Sequence, residues 1–174
     1  GYRTLVTGDV KDEYESLCHA LGVEPFVIAP GFSARVNPLD KGPLGDGWEK
    51  LSAEEAQRRA TTIFKRWLVL ARGLVGSMKI DDERRVPFGP DESDVVRNAL
   101  AILTGYAAGN SVLQETTIPL LWDLLRNPTE ELVRACEYAN TRTFLDETRL
   151  LRNALGELVT GTLAGLFDDF TNIE

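Results

Sequence analysis

The sequence predicts a mainly α protein: an all-α body of about five helices, preceded by a short strand-helix-strand piece of α/β type. Three observations carry this. Apolar residues recur at spacings of three and four over most of the span 52–165. Polar capping residues stand at the heads of those runs. Short β-branched runs flanking a helical pattern are confined to residues 1–30.

Taken in order, residues 3–8, RTLVTG, form a strand ending in Gly. From Val10 to Leu21, the residues Tyr14, Leu17, Cys18 and Leu21 mark one face of a helix, which Gly22 ends. VEPFVIAP is a second strand, closed by Pro30 and Gly31. The stretch 31–51 is rich in Gly, Pro, Asn and Asp and is expected to be a long surface loop. Ser52 and Glu55 make a capping box for a helix that runs to about Met78. Its apolar face is Ala60, Ile63, Phe64, Trp67, Leu68 and Ala71. DDERRVPFGP reads as a polar connection broken by two prolines.

Asp91-Glu92-Ser93-Asp94 caps the next helix, with Val95, Ala99, Ile102, Leu103 and Tyr106 as its stripe and Gly109-Asn110 as its stop. A short helix near Ile118–Leu125 follows, then one from about Thr129 to Asn140. A last long helix runs from about Arg142 to Leu163, with Leu151, Ala154, Leu155 and Leu158 facing inward. The end, GTLAGLFDDFTNIE, is broken by glycines and leads toward a strand. The organisation expected is therefore a partial α/β core over 1–30, a loop over 31–51, an all-α unit over 52–165, and a return toward the α/β core over 166–174.

Composition narrows the function. The chain has 174 residues, one domain in size, and a formal net charge of −8. An acidic chain is poorly suited to grip a phosphate backbone, which needs clustered Lys and Arg. Two cysteines without a CxxC pair, and the single His19, are too few for a Cys-His metal site; no metal site is expected, and the thiols read as buried or half-buried in a reducing cytoplasm. No apolar run approaches the length of a membrane span.

The candidate chemistry is sparse. Asp9 sits just past a strand end, with Lys11 and Glu13 on the first turn of the following helix. Acids at such a position can orient a water or hold a metal through one. From composition alone, a helix cap and a favourable charge at the helix N-terminus account for both. The phosphate loop GxxxxGK[ST] does not occur. GPLGDGW has glycines but no Lys-Ser/Thr. The pairs Asp168-Asp169, Asp81-Asp82 and Glu130-Glu131 suit solvated faces and caps, and Trp67, Trp122 and Phe144 suit core packing.

Three patterns together point to a family. Asp9-Val10-Lys11-Asp12-Glu13-Tyr14 matches an acidic Asp-x-Lys-x-Glu-Tyr turn. Pro30-Gly31 is followed by Asn37-Pro38-Leu39-Asp40. Gly161-Thr162-Leu163-Ala164-Gly165-Leu166-Phe167-Asp168 precedes Thr171-Asn172-Ile173. In this order, bracketing nearly the whole chain, they resemble the conjugation ATPases of type IV secretion systems, in the HerA/FtsK-like branch of RecA-type motors. Val10 and Asp12 stand where that family's turn usually carries Pro and Gly.

The resemblance implies an internal fragment of such a motor: part of its RecA-like core and its all-α insertion, without the phosphate-binding loop. It implies ATP and Mg for the parent protein and none for the fragment, with Asp9 and Glu13 backing the water or the metal's ligands and Lys11 near the nucleotide. It implies a homo-hexameric ring, partners among secretion-channel or DNA-processing proteins, no direct DNA grip, no transmembrane segment, and a cytoplasmic place at the inner face of the cell membrane. The parent would be an ATPase and the fragment inactive. From another class comes the alternative of a self-contained helical adaptor or scaffold with no nucleotide site.

Overall fold

The Ser52 capping box forms as its residues dictate. Glu55 N–H donates to Ser52 Oγ at 3.3 Å, and Ser52 N–H donates to Glu55 Oε2 at 3.0 Å. The two bonds satisfy donors that a first helical turn otherwise leaves open. The structure is a computed structural model that describes residues 15–22, 29, 31–81 and 84–172. Those residues are mainly helical: α1 (Glu15–Ala20), α2 (Ala53–Met78), α3 (Pro90–Leu103), α4 (Ile118–Arg126), α5 (Glu130–Ala135), α6 (Thr141–Glu147) and α7 (Arg149–Val159). A two-stranded hairpin, β1 (Ile80–Asp81) and β2 (Arg84–Arg85), joins α2 to α3 with Ile80 opposite Arg85.

The core is built on α2. Ala60, Ile63, Phe64, Trp67, Ala71 and Val75 are buried on one stripe, as the periodicity requires. Against it pack α3 and α7, while α4 bridges α3 and α7. Leu100 and Val96 from α3, Leu121 and Leu125 from α4, and Leu151, Leu155 and Leu158 from α7 complete one continuous cluster. Trp67 and Phe144, expected in the core, are fully buried there.

Four expectations about this body need correction. The connection DDERRVPFGP is not merely polar and irregular: it carries the hairpin, and Val86 N–H closes back on Lys79 O at 3.1 Å. The second correction concerns α3, which stops at Leu103, before Tyr106. Gly105 takes φ +75°, and a Cβ there would stand 2.5 Å from Asn110 Nδ2, so the chain turns at a residue where any side chain would be strained. Tyr106 then stacks on Phe64 from outside the helix, with centroids 4.2 Å apart.

The helix expected over 129–140 ends at Ala135. Tyr138 N–H reaches back to Val133 O at 3.1 Å, and Glu137 N–H to Arg134 O at 3.0 Å, with Glu137 at φ 60°. This is a left-handed helix terminus that usually takes glycine. A Glu137→Gly substitution is therefore expected to raise stability by about 1 kcal/mol, read as a higher urea midpoint; a lower midpoint would sink the argument. Lastly, the long helix expected over 142–163 is two. The Thr148 hydroxyl is buried and donates to Phe144 O at 2.7 Å, competing for the backbone acceptor of the last turn. Arg152 N–H then bonds Thr148 O at 3.0 Å and starts α7.

The two strands expected over 3–8 and 23–30 lie outside the described residues, apart from Ala29 in a bend. Of the helix between them, Glu15–Ala20 is helical.

Candidate functional site

The loop expected over 31–51 is not a free surface loop. Asn37 is buried and ties it down: its Nδ2 donates to Thr116 O at 2.8 Å, and its Oδ1 accepts from Leu39 N–H at 3.0 Å. That second bond is an Asx turn, the local preference of Asn before a proline-led bend. The turn drives Leu39 into the core, where it is fully buried. Asp40 O then accepts from Trp67 Nε1 at 3.2 Å and from Arg66 at 2.5 Å. Asn37-Pro38-Leu39-Asp40 is thus a knot that seats the loop on α2. Beyond it, short 3-10 turns at Gly42–Gly45 and Trp48–Lys50 lead to the Ser52 cap.

The segment 166–172 lies beside the same loop. Val36 N–H donates to Leu166 O at 2.9 Å, and Asn37 N–H to Thr171 Oγ1 at 3.0 Å. Asn172 makes three bonds. Its Oδ1 accepts from Arg35 N–H at 2.6 Å, its Nδ2 donates to Ser33 O at 2.8 Å, and its N–H donates to Arg35 O at 3.3 Å. Arg35 Nε meets Asp168 Oδ1 at 3.0 Å, and Asp168 Oδ2 accepts from Gly165 N–H at 2.9 Å. Two sequence motifs separated by the entire helical body are therefore clasped to each other. Asp168 serves as an ion-pair and turn residue there, and Glu130 and Glu131 occupy the exposed first turn of α5, in keeping with caps and solvated faces.

Two concave surfaces flank this framework. A groove of about 740 Å³ runs along α2 beside the knot, lined by Val36, Pro38, Arg66, Val69, Leu70 and Phe167 among others. Its walls are mostly apolar. The other surface is a cleft of about 590 Å³ between α3 and the α5–α6 turn, lined by Asp91, Asp94, Arg97, Cys136, Tyr138 and Glu147 among others. Here Arg97 is paired with Asp94. Burial pushes the Tyr138 hydroxyl above its ordinary pKa, and neighbouring Cys136, Asp91 and Glu147 add to the shift. Burial also raises the Cys136 thiol, against a hydrogen bond from Asn98. A thiol shifted that way is a poor nucleophile at neutral pH. Both Cys18 and Cys136 are free and half-buried.

The predicted chemistry lies elsewhere in the chain. Asp9, Lys11 and Glu13 fall outside the described residues. Among the described residues no group of three or more His, Cys, Asp and Glu is placed to hold a metal, and no helix is long and apolar enough to cross a membrane. The structure instead brings forward residues that periodicity passed over: Arg66 and Leu70 at the groove, and Arg35 with Asn172 at the clasp. One signal was present. Val69, Leu70 and Leu74 lie off the core stripe of α2, so the second half of that helix is apolar on more than one face. No family model, curated protein or solved structure matches the chain.

Proposed function

We propose that this chain is the all-α insertion of an ATP-driven conjugative-transfer motor of the type IV secretion class, carried on part of a RecA-like core. The observation that supports it most is the clasp. An inserted unit must leave its host and return at one place, and here residues 33–37 and 166–172 are hydrogen-bonded to each other. The segments so joined carry two of the three motifs on which the family resemblance rests. A helical unit whose two connections meet moves as one piece when its host moves.

In this proposal the host supplies ATP and Mg binding, and its phosphoryl transfer depends on a loop lysine, the metal and a neighbour's arginine. The insertion supplies contacts within a homo-hexameric ring and to secretion-channel or DNA-processing proteins at the cytoplasmic face of the membrane. Asp9, Glu13 and Lys11 would border the nucleotide. The acidic balance favours protein contacts over DNA.

The test uses the natural gene product. Its reading frame is expected to place GxxxxGK[ST] on a strand-loop-helix pattern ahead of Gly1 and an apolar strand ending in acids after Glu174. The full-length protein is expected to hydrolyse ATP only with Mg. Residues 1–174 alone are expected to show no thermal shift with nucleotide. A natural product without the phosphate loop, or a clear nucleotide shift by these residues alone, would overturn the proposal and favour the adaptor.

A further inference from the structure

The clasp and the helical body are held by different forces. The body rests on one continuous apolar cluster, whose buried members run from Leu39 to Leu158. Leu166, the buried apolar residue of the clasp, is not among them, and the half-buried Phe167 only packs against that cluster. The clasp is otherwise polar and reached by water. The bonds of the Asn172 amide to Arg35 N–H and Ser33 O are exposed, and the Arg35 and Asp168 side chains are 26% and 27% exposed. Water competes for such bonds, and salt screens such a pair.

Just beyond Arg35 the character reverses. The bond from Asn37 Nδ2 to Thr116 O is buried, and Leu39 belongs to the cluster. The chain thus passes from an exposed tie at Arg35 to a buried anchor at Asn37. On the returning side, Gly165 turns at φ +88° just before Leu166, a conformation that glycine takes without strain. Each half of the clasp therefore has a defined boundary. Segments with few apolar contacts and accessible backbone bonds are the ones that open without global unfolding.

We propose that the clasp is a latch: residues 33–36 and 166–172 part as one local unit while α2, α3, α4 and α7 stay packed. The opening turns on Asn37 and Gly165. It withdraws Val36 and Phe167, which line the α2 groove, so that groove is complete only while the latch is shut. The opening belongs to this chain and needs no nucleotide. Its use rests on the motor reading: a host that draws its two connections apart opens the latch and lets the helical unit swing, in place of straining the core.

Native-state hydrogen exchange of the 174-residue chain tests this. The reporters are the N–H groups of Arg35, Val36, Asn37 and Asn172, all bonded within the clasp, against those of Phe64 and Leu155 in the body. The clasp amides are expected to be protected, yet to exchange at least about 100-fold faster than the body amides and to respond little to low urea, because little surface is exposed on opening. Val96→Ala, which trims the buried cluster, is expected to speed the body amides about tenfold and to leave the clasp amides within about twofold. Asp168→Asn, which removes the ion pair, is expected to speed the clasp amides about threefold. Clasp amides that follow urea and Val96→Ala as the body does would overturn the proposal, since the clasp would then open only with the whole fold. Exchange at the rate of an unbonded amide would overturn it too, since the latch would not be shut. Neither outcome bears on the nucleotide tests of the full-length protein, so latch and motor fail separately.

Discussion

Glu92→Ala is expected to destabilise the protein by about 3–5 kcal/mol, the cost of stranding a buried charge. Lys79 is only 4% exposed although it is charged. Its Nζ donates to Glu92 Oε2 at 2.6 Å and to Pro87 O at 2.6 Å. Glu92 also accepts from Gly89 N–H at 2.8 Å, closing the first turn of α3 behind Pro90. One carboxylate thus neutralises a buried ammonium, caps a helix and spans the hairpin that joins α2 to α3. Removing it leaves Lys79 in a poor solvent with one carbonyl for company. Urea unfolding of the two proteins measures the loss. The partner control separates charge from packing. A Lys79→Met, Glu92→Leu double variant is expected to recover most of the loss, because apolar replacement of a buried pair is often neutral. A single-variant loss under about 1 kcal/mol would mean that solvent reaches Lys79 and that the pair is an ordinary surface bridge.

Trp67→Ala is expected to cost about 3–5 kcal/mol as well, by a different route. Trp67 is fully buried at the centre of α2, and its removal opens a cavity beneath the Asn37-Pro38-Leu39-Asp40 knot. Its indole N–H is also one of the two donors that hold the Asp40 carbonyl. Trp67→Phe keeps most of the bulk and loses the donor, with Arg66 left to satisfy the carbonyl, so its cost is expected near 1 kcal/mol. Trp67 and Asn37 shape the same turn, and their effects should not add. A double-mutant cycle of Trp67→Phe with Asn37→Ala is expected to show a coupling of at least about 0.5 kcal/mol. Strict additivity would mean that the knot and the indole are independent supports.

The fold was legible where the chain follows local rules. The Ser52 box and the stripe from Ala60 to Ala71 placed α2 from its cap to about its end, because both depend on spacings of three and four within one helix. The apolar run at Ile118–Leu125 gave α4 for the same reason, and that at Leu151–Leu158 gave a long helix of which α7 is the second part. Helix ends were harder. Periodicity continues through Thr148, but that residue leaves helical geometry at φ −91°, ψ 10° and separates α6 from α7. It continues past Cys136 too, but Glu137 adopts a left-handed turn. Both are decided by the backbone conformation of single residues, which the apolar pattern does not encode.

By itself the sequence determined a mainly helical body, its capped helix starts and its buried stripe, since those follow from propensity and period. It also held the three motifs in order. Only the tertiary structure decided that two of them meet. Asn172 bonds Arg35 and Ser33, and Thr171 bonds Asn37, across the length of the helical body. No local signal marks a contact between residues so far apart, because it exists only once α2 and α7 have packed and brought their flanking segments together. The groove beside them has the same origin: Arg66, Leu70 and Phe167 form one surface because the knot seats residues 36–42 on α2.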